Sequence, residues 1–139
     1  MSNTNFVASA VATLVIKHKK LLLGKRFENN RFIGWQCPGG YLNKGENIET
    51  AAKHICLNKA GINISDCHPG PYTNNIFSND MHTTTLYIIA EDYVVQNSDV
   101  FENKKIEWSM FSLYNLPEPL FLPLRILQQQ YNLAKILDG

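Results

Sequence analysis

The sequence predicts an α/β fold, a mixed β-sheet held between one central helix and one C-terminal helix. Three observations carry this. Ile48, Ala51, Ala52, Ile55 and Cys56 repeat at i, i+3, i+4, i+7 and i+8, the stripe of a helix packed on one side. Runs rich in β-branched, aliphatic and aromatic residues lie both before that helix and after it. From Pro123 to Leu137 a second helical stripe runs through Leu124, Leu127, Tyr131 and Ala134 or Ile136. At 139 residues the expected organisation is one domain spanning 1–139, long enough to bury a proper core.

Taken in order, Phe6 to Lys17 reads as a buried strand, Lys17-His18-Lys19-Lys20 as a polar turn and Leu21 to Arg26 as the returning strand of a hairpin. Phe27 to Gly34 reads as a loop carrying Glu28, Asn29, Asn30 and Arg31, and Trp35 to Cys37 as a short strand stopped by Pro38. The central helix starts after Gly45-Glu46, with Asn47 as N-cap, and Gly61 stands where a C-cap glycine belongs. Asn63 to His68 is polar, and Pro69-Gly70-Pro71 punctuates the chain. Tyr72 to Phe77 and Met81 to Val95 form a long hairpin around Ser78-Asn79-Asp80, and Gln96 to Lys105 is a polar loop. Ile106 to Phe111 is a further strand in which Trp108, Met110 and Ile106 face one way by alternation. Leu116-Pro117-Glu118-Pro119-Leu120 is a rigid turn before the closing helix.

Composition narrows the classes of function. A net charge of +1 gives no bulk electrostatic case for nucleic acid or a membrane surface. No apolar run reaches the roughly 20 residues of a membrane span, and the first residues lack the basic n-region of a signal peptide. Cys37, Cys56 and Cys67 are odd in number and form no C-x-x-C pair, which points to free thiols in a reducing cytoplasm.

The stretch Gly39 to Ile62, GGYLNKGENIETAAKHICLNKAGI, is the most informative. It resembles the Nudix box, G-x5-E-x7-R-E-U-x-E-E-x-G-U with U a bulky aliphatic, of the Nudix (MutT-like) hydrolases. Gly40, Glu46, Gly61 and Ile62 fall on the pattern with its spacing kept, and Trp35-Gln36-Cys37-Pro38-Gly39-Gly40 resembles the family's W-x-x-P-G-G lead-in. The resemblance implies the α/β/α Nudix sandwich over nearly the whole chain. The tail, from Lys105-Ile106-Glu107-Trp108 to the L-P turn and final helix, looks like the nucleoside-triphosphate diphosphatase branch. The start of the box helix is also similar to GDP-mannose mannosyl hydrolases.

In the family, the box glutamates hold magnesium against a diphosphate, because carboxylates at i, i+3 and i+4 share one helix face. Here R-E-U-x-E-E is replaced by His54-Ile55-Cys56-Leu57-Asn58-Lys59. That face offers an aliphatic, an amide and an ammonium, so no metal set is assigned; the weak candidates are Glu46, Asn58, Glu102 and Glu107. Glu49 and Lys53 read as an i, i+4 helix-supporting pair. Arg26 matches a family position that touches phosphates, or is a solvated strand-end charge. Gly39 and Gly40 supply the loop that approaches the ligand. Lys59 contacts a phosphate directly in place of the metal, or is a plain helix lysine. Trp35, Phe27, Phe32 and Tyr41 flank the expected cleft, where one could stack on a base or belong to the core. Glu46 is the catalytic candidate by resemblance, or a structural remnant at the helix start. His54, in the box arginine's place, could tie Glu46 to the helix.

Three functions stand open. The first is a protein that binds a nucleoside diphosphate-linked compound, a small nucleotide or nucleotide sugar, with pyrophosphate-bond hydrolysis weak or lost. The second is an active hydrolase of nucleoside triphosphates or GDP-mannose using metal ligands outside the box. The third is an interaction scaffold. The resemblance implies magnesium as the cofactor and leaves a homodimer open.

Overall fold

The computed structural model describes residues 6–138, with side chains placed through Lys135. Among the described residues nine strands precede and follow the central helix in sequence: β1 (Ala8–Lys17), β2 (Lys20–Glu28), β3 (Arg31–Gln36), β4 (Gly39–Tyr41), α1 (Ile48–Ile55), β5 (Ile62–Ile64), β6 (Cys67–Ile76), β7 (His82–Ala90), β8 (Tyr93–Val95) and β9 (Ser109–Ser112). Helices α2 (Ser98–Phe101), α3 (Leu122–Gln130) and α4 (Leu133–Asp138) complete the chain.

The sheet runs β3-β2-β1-β7-β6, with β4 added to β1 and β9 to β2; β5 and β8 form a separate ribbon. β1 and β7 pair in parallel from Ala8↔Thr83 to Val15↔Ala90, and the other ladders are antiparallel. The sheet is therefore mixed, as expected. One core lies under α1, where Ala51, Ala52 and Cys56 meet Val11, Val15, Leu22 and Ile88. The other lies under α3, where Leu124 and Leu127 meet Leu14, Leu21, Leu23, Tyr87 and Ile89. Alternation along β1 divides its side chains between the two: Val11 and Val15 to one, Leu14 and Ile16 to the other.

Several boundaries differ from the sequence reading, each for a local reason. The segment expected as a loop from Phe27 to Gly34 is mostly strand. Asn29 and Asn30 at φ 53° and 62° make a two-residue hairpin turn, and β3 begins at once with Arg31 opposite Glu28. Pro69-Gly70-Pro71 does not end a segment; it is absorbed in β6 as an irregularity between Pro69 and Tyr72. Ile62–Ile64 is a strand, paired with Tyr93–Val95. The polar loop after Gln96 contains α2, capped by Asn97. The closing helix is two helices, because Tyr131 leaves the helical region at φ −131° and ψ 146°. Leu124, Leu127, Tyr131 and Ala134 still share the second core; the side chain of Ile136 lies outside the described residues.

Candidate active-site cleft

β1 and β2 are paired only beside their turn, at Ile16↔Leu21 and Lys17↔Lys20. Beyond it they part. The first half of β1 takes β4 as its partner, and the second half of β2 takes β3. A cleft of about 580 Å³ occupies this opening. Its floor is Ala10, Ala12, Thr83, Thr85 and Tyr87; its walls include Gly39, Gly40, Tyr41 and Lys59 from the box, Arg26, Glu28 and Gln36, and Phe77, Asn79, Met81 and Phe121.

The box builds the Lys59 side. Asn47 Oδ1 accepts from Glu49 N and Thr50 N at 2.9 and 3.3 Å, the N-cap expected. The helix then widens into a π-turn over Cys56–Ala60, closed by Gly61 at φ 68°. Trp108 Nε1 donates to the carbonyl of Lys59 at 3.1 Å, one of the carbonyls left over at a helix end. Lys59 Nζ donates to Gly39 O at 2.6 Å. A Cβ on Gly40 would stand 3.3 Å from that Nζ and 3.4 Å from Ile55 Cδ1. The glycine pair is thus needed for close approach rather than for an unusual φ, since neither Gly39 nor Gly40 sits at positive φ.

Arg26 is held by its neighbours. Its Nε and Nη2 meet Glu28 Oε2 at 3.2 Å, its Nη1 donates to Gln36 Oε1 at 3.2 Å, and its guanidinium lies 4.3 Å from the Phe121 ring centre. Phe121 is brought there because Trp35 N donates to Pro119 O and Phe121 N to Trp35 O, which lays the segment along β3. Lys25, next in the strand, points the other way and pairs with Glu107.

The cleft brings together Arg26, Gly39, Gly40 and Lys59 among the candidates. Trp35 is not part of its lining; the ring packs edge-on against Phe111 at 4.9 Å and beside Phe32 at 6.0 Å. Alternation explains it, because Gln36 takes the cleft side of β3. Phe27 and Phe32 pack against each other at 5.9 Å, and of the expected aromatics Tyr41 lines the cleft. Glu46 folds back on its own loop, its Oε1 accepting from Asn43 N at 3.1 Å, and its Oε2 lies 4.0 Å from His54 Nδ1. Asn58 lines a separate shallow hollow with Gln96, Asn97 and Ser98. Glu102 is exposed at the end of α2, and Glu107 is engaged by Lys25. The lining residues not expected from sequence include the floor of Ala10, Ala12, Thr83, Thr85 and Tyr87, together with Glu28, Gln36, Phe121 and the β6–β7 turn. For Glu28 the available signal was its place two positions after Arg26, hence on the same strand face.

Residues 6–131 match the NUDIX domain family. The chain belongs to that family. It is 25% identical over 104 residues to the mouse oxidized purine nucleoside triphosphate hydrolase, a match covering 75% of this chain and 65% of that protein's length. The Nudix fold is shared with the MutT NUDIX hydrolase of Burkholderia pseudomallei, at TM-score 0.78 and 23% identity, over 90% of this chain and 98% of that one. A NUDIX hydrolase from Nitrosomonas europaea superposes at TM-score 0.77 and 18% identity, over 94% and 90% of the two chains. No helix among the described residues is long and apolar enough to cross a membrane.

Nudix enzymes generally use magnesium or another divalent ion, and the donors here do not suit one. Among the described residues no three His, Cys, Asp or Glu side chains converge on a common point. In the cleft, the carboxylate of Glu28 is committed to Arg26, and an ammonium stands beside Gly39. The buried thiols of Cys37 and Cys56 offer no soft alternative. Burial raises the pKa of Cys37 strongly and pushes that of Cys56 to about 11, which keeps both as thiols at neutral pH.

Although the Lys59 side chain is largely exposed, partial desolvation at the cleft wall, and then the nearby Arg26, lower its pKa from the ordinary 10.5. Between the lowered value and 10.5 the unfolded chain binds a proton that the native state has released. Lys59 therefore makes stability rise with pH across that window. Buried Cys37, Cys56 and Tyr87, whose pKa values are raised, act in the opposite sense at alkaline pH. Urea unfolding of the wild type and Lys59→Met across the alkaline range isolates the Lys59 part. The wild type is expected to gain stability relative to the variant as pH rises; a constant difference would contradict the assignment.

Proposed function

We propose that this Nudix chain binds a nucleotide or nucleotide sugar in the cleft, takes its phosphate on Lys59 without a divalent ion, and hydrolyses pyrophosphate bonds weakly or not at all. The observation that carries this is the position of the Lys59 ammonium, held over the glycine pair in the box position where the family pattern has a glutamate. A fixed ammonium supplies to a phosphate part of the charge that a metal would supply. It leaves out the polarisation of the leaving group, usually the largest catalytic term. The name of the mouse relative, an oxidized purine nucleoside triphosphate hydrolase, supports a nucleotide as the ligand class.

The test measures phosphate and pyrophosphate release from nucleoside triphosphates and nucleotide sugars with magnesium and then manganese, alongside thermal stabilisation by the same compounds in EDTA. The expected result is stabilisation in EDTA with negligible release. Metal-dependent turnover that Glu46→Gln abolishes would overturn the reading in favour of a hydrolase with ligands outside the box. Absence of both binding and release would leave an interaction scaffold.

A further inference from the structure

We propose that the cleft is matched to a single phosphate, that its ligand is a nucleoside monophosphate, and that Glu28 sets this preference. The proposal rests on the metal-free phosphate reading above and narrows it.

Charge is the first argument. The charged side chains lining the cleft are Arg26, Lys59 and Glu28. Arg26 spends Nε and Nη2 on Glu28 and Nη1 on Gln36, so most of its forked donors are already engaged and the Glu28 carboxylate offsets part of its charge. What remains for a ligand is mainly the ammonium of Lys59. A phosphate monoester carries about −1.5 to −2 at pH 7, and each further phosphoryl group adds more. Without a divalent ion, a di- or triphosphate would bring several negative charges into a half-enclosed cleft beside the Glu28 carboxylate. Uncompensated charge in such surroundings is strongly unfavourable.

The rest of the cleft suits a nucleoside. Phe77 and Phe121 face each other with ring centres 5.8 Å apart, and both line the cleft, offering an apolar wall for a planar base. The floor is polar. Fully buried Asn75 donates through Nδ2 to Thr83 Oγ1 at 3.0 Å and Thr85 Oγ1 at 2.9 Å. Each hydroxyl accepts from the amide, so its own proton is left for an acceptor on a base or sugar in the cleft that both threonines line. Among the described residues, the buried Asn75 Oδ1 has no hydrogen-bond partner.

The test is calorimetric titration of the full chain in EDTA with mono-, di- and triphosphates of each of the four common ribonucleosides, and with inorganic phosphate and ribose 5-phosphate. At least one monophosphate is expected to bind tenfold or more tighter than its own triphosphate, and tighter than inorganic phosphate or ribose 5-phosphate. Glu28→Gln, at an exposed position, frees Arg26. It is expected to improve triphosphate binding more than monophosphate binding and so narrow the ratio. A triphosphate that binds as well as its monophosphate overturns the inference while leaving metal-free nucleotide binding intact. An unchanged ratio in Glu28→Gln overturns the role of Glu28, and inorganic phosphate binding equally well overturns the nucleoside. No binding by any compound overturns this inference, and if the nucleotide sugars also fail to stabilise the protein in EDTA the proposed function falls with it.

Discussion

Lys59→Ala loses between roughly ten- and a hundredfold of nucleotide affinity in EDTA, and Lys59→Glu loses more. The estimate follows from the net worth of one charge-assisted hydrogen bond, about 1.5–3 kcal/mol, with each 1.4 kcal/mol a factor of ten. The fold has little reason to suffer from the alanine, because the side chain's described bond is to Gly39 O and it fills no core space. Unfolding in urea at neutral pH is expected to show Lys59→Ala at least as stable as the wild type. Lys59→Glu restores one carboxylate of the box but not the others. Ile55 remains an aliphatic beside Gly40, and Asn58 lies against Gln96 and Ser98 in another hollow. Added magnesium is therefore expected to leave Lys59→Glu inactive on nucleoside triphosphates. If that single change produced turnover, one restored carboxylate would suffice where the family pattern has three.

The second large effect is on stability. Gly61→Ala is expected to cost about 3 kcal/mol or more, from a left-handed backbone and a clash acting together. Gly61 holds φ 68° where the helix ends. A Cβ there would collide with Asn97 O and stand 3.0 Å from Phe101 N. Both are backbone atoms, and Asn97 N itself donates to Gly61 O at 2.9 Å, so neither side can retreat cheaply. For a domain of this size the loss corresponds to roughly 6–12 °C in Tm, measurable by calorimetry. A change under about 1 kcal/mol would mean that the α2 segment yields freely, contrary to the ties described.

Legibility from sequence followed the range of the interactions. The Asn47 cap, the Gly61 stop and the apolar stripe of α1 are local, and each was readable from spacing. The box lysine and the arginine of β2 were placed through the family pattern, and the cleft holds both. What escaped was set by pairing between distant segments. Lys25 meets Glu107 across 82 positions, which leaves Arg26 as the member of the basic pair on the cleft side. Phe121 reaches Arg26 only because the segment after Pro119 runs along β3. Trp35 was assigned by neighbourhood to the glycine pair, while the pleat turns it away. The Asn29-Asn30 hairpin was legible in principle, since asparagine tolerates positive φ, but the usual signal, asparagine followed by glycine, is absent.

The parallel pairing of β1 with β7 also has a bearing on how the protein is made. Strand β1 ends at Lys17, and its parallel partner finishes at Ala90. During synthesis the first strand leaves the ribosome long before the neighbour that covers its other edge. At about 5–20 residues per second, the growing chain carries an unpaired, aliphatic strand edge for several seconds. Hairpins with β2 and β4 can shield parts of β1 in that interval, because their partners lie close in sequence. Truncated chains ending before β7 would keep the edge open and are expected to self-associate, whereas completion of the β6–β7 hairpin delivers the covering strand and seals the centre of the sheet in one step.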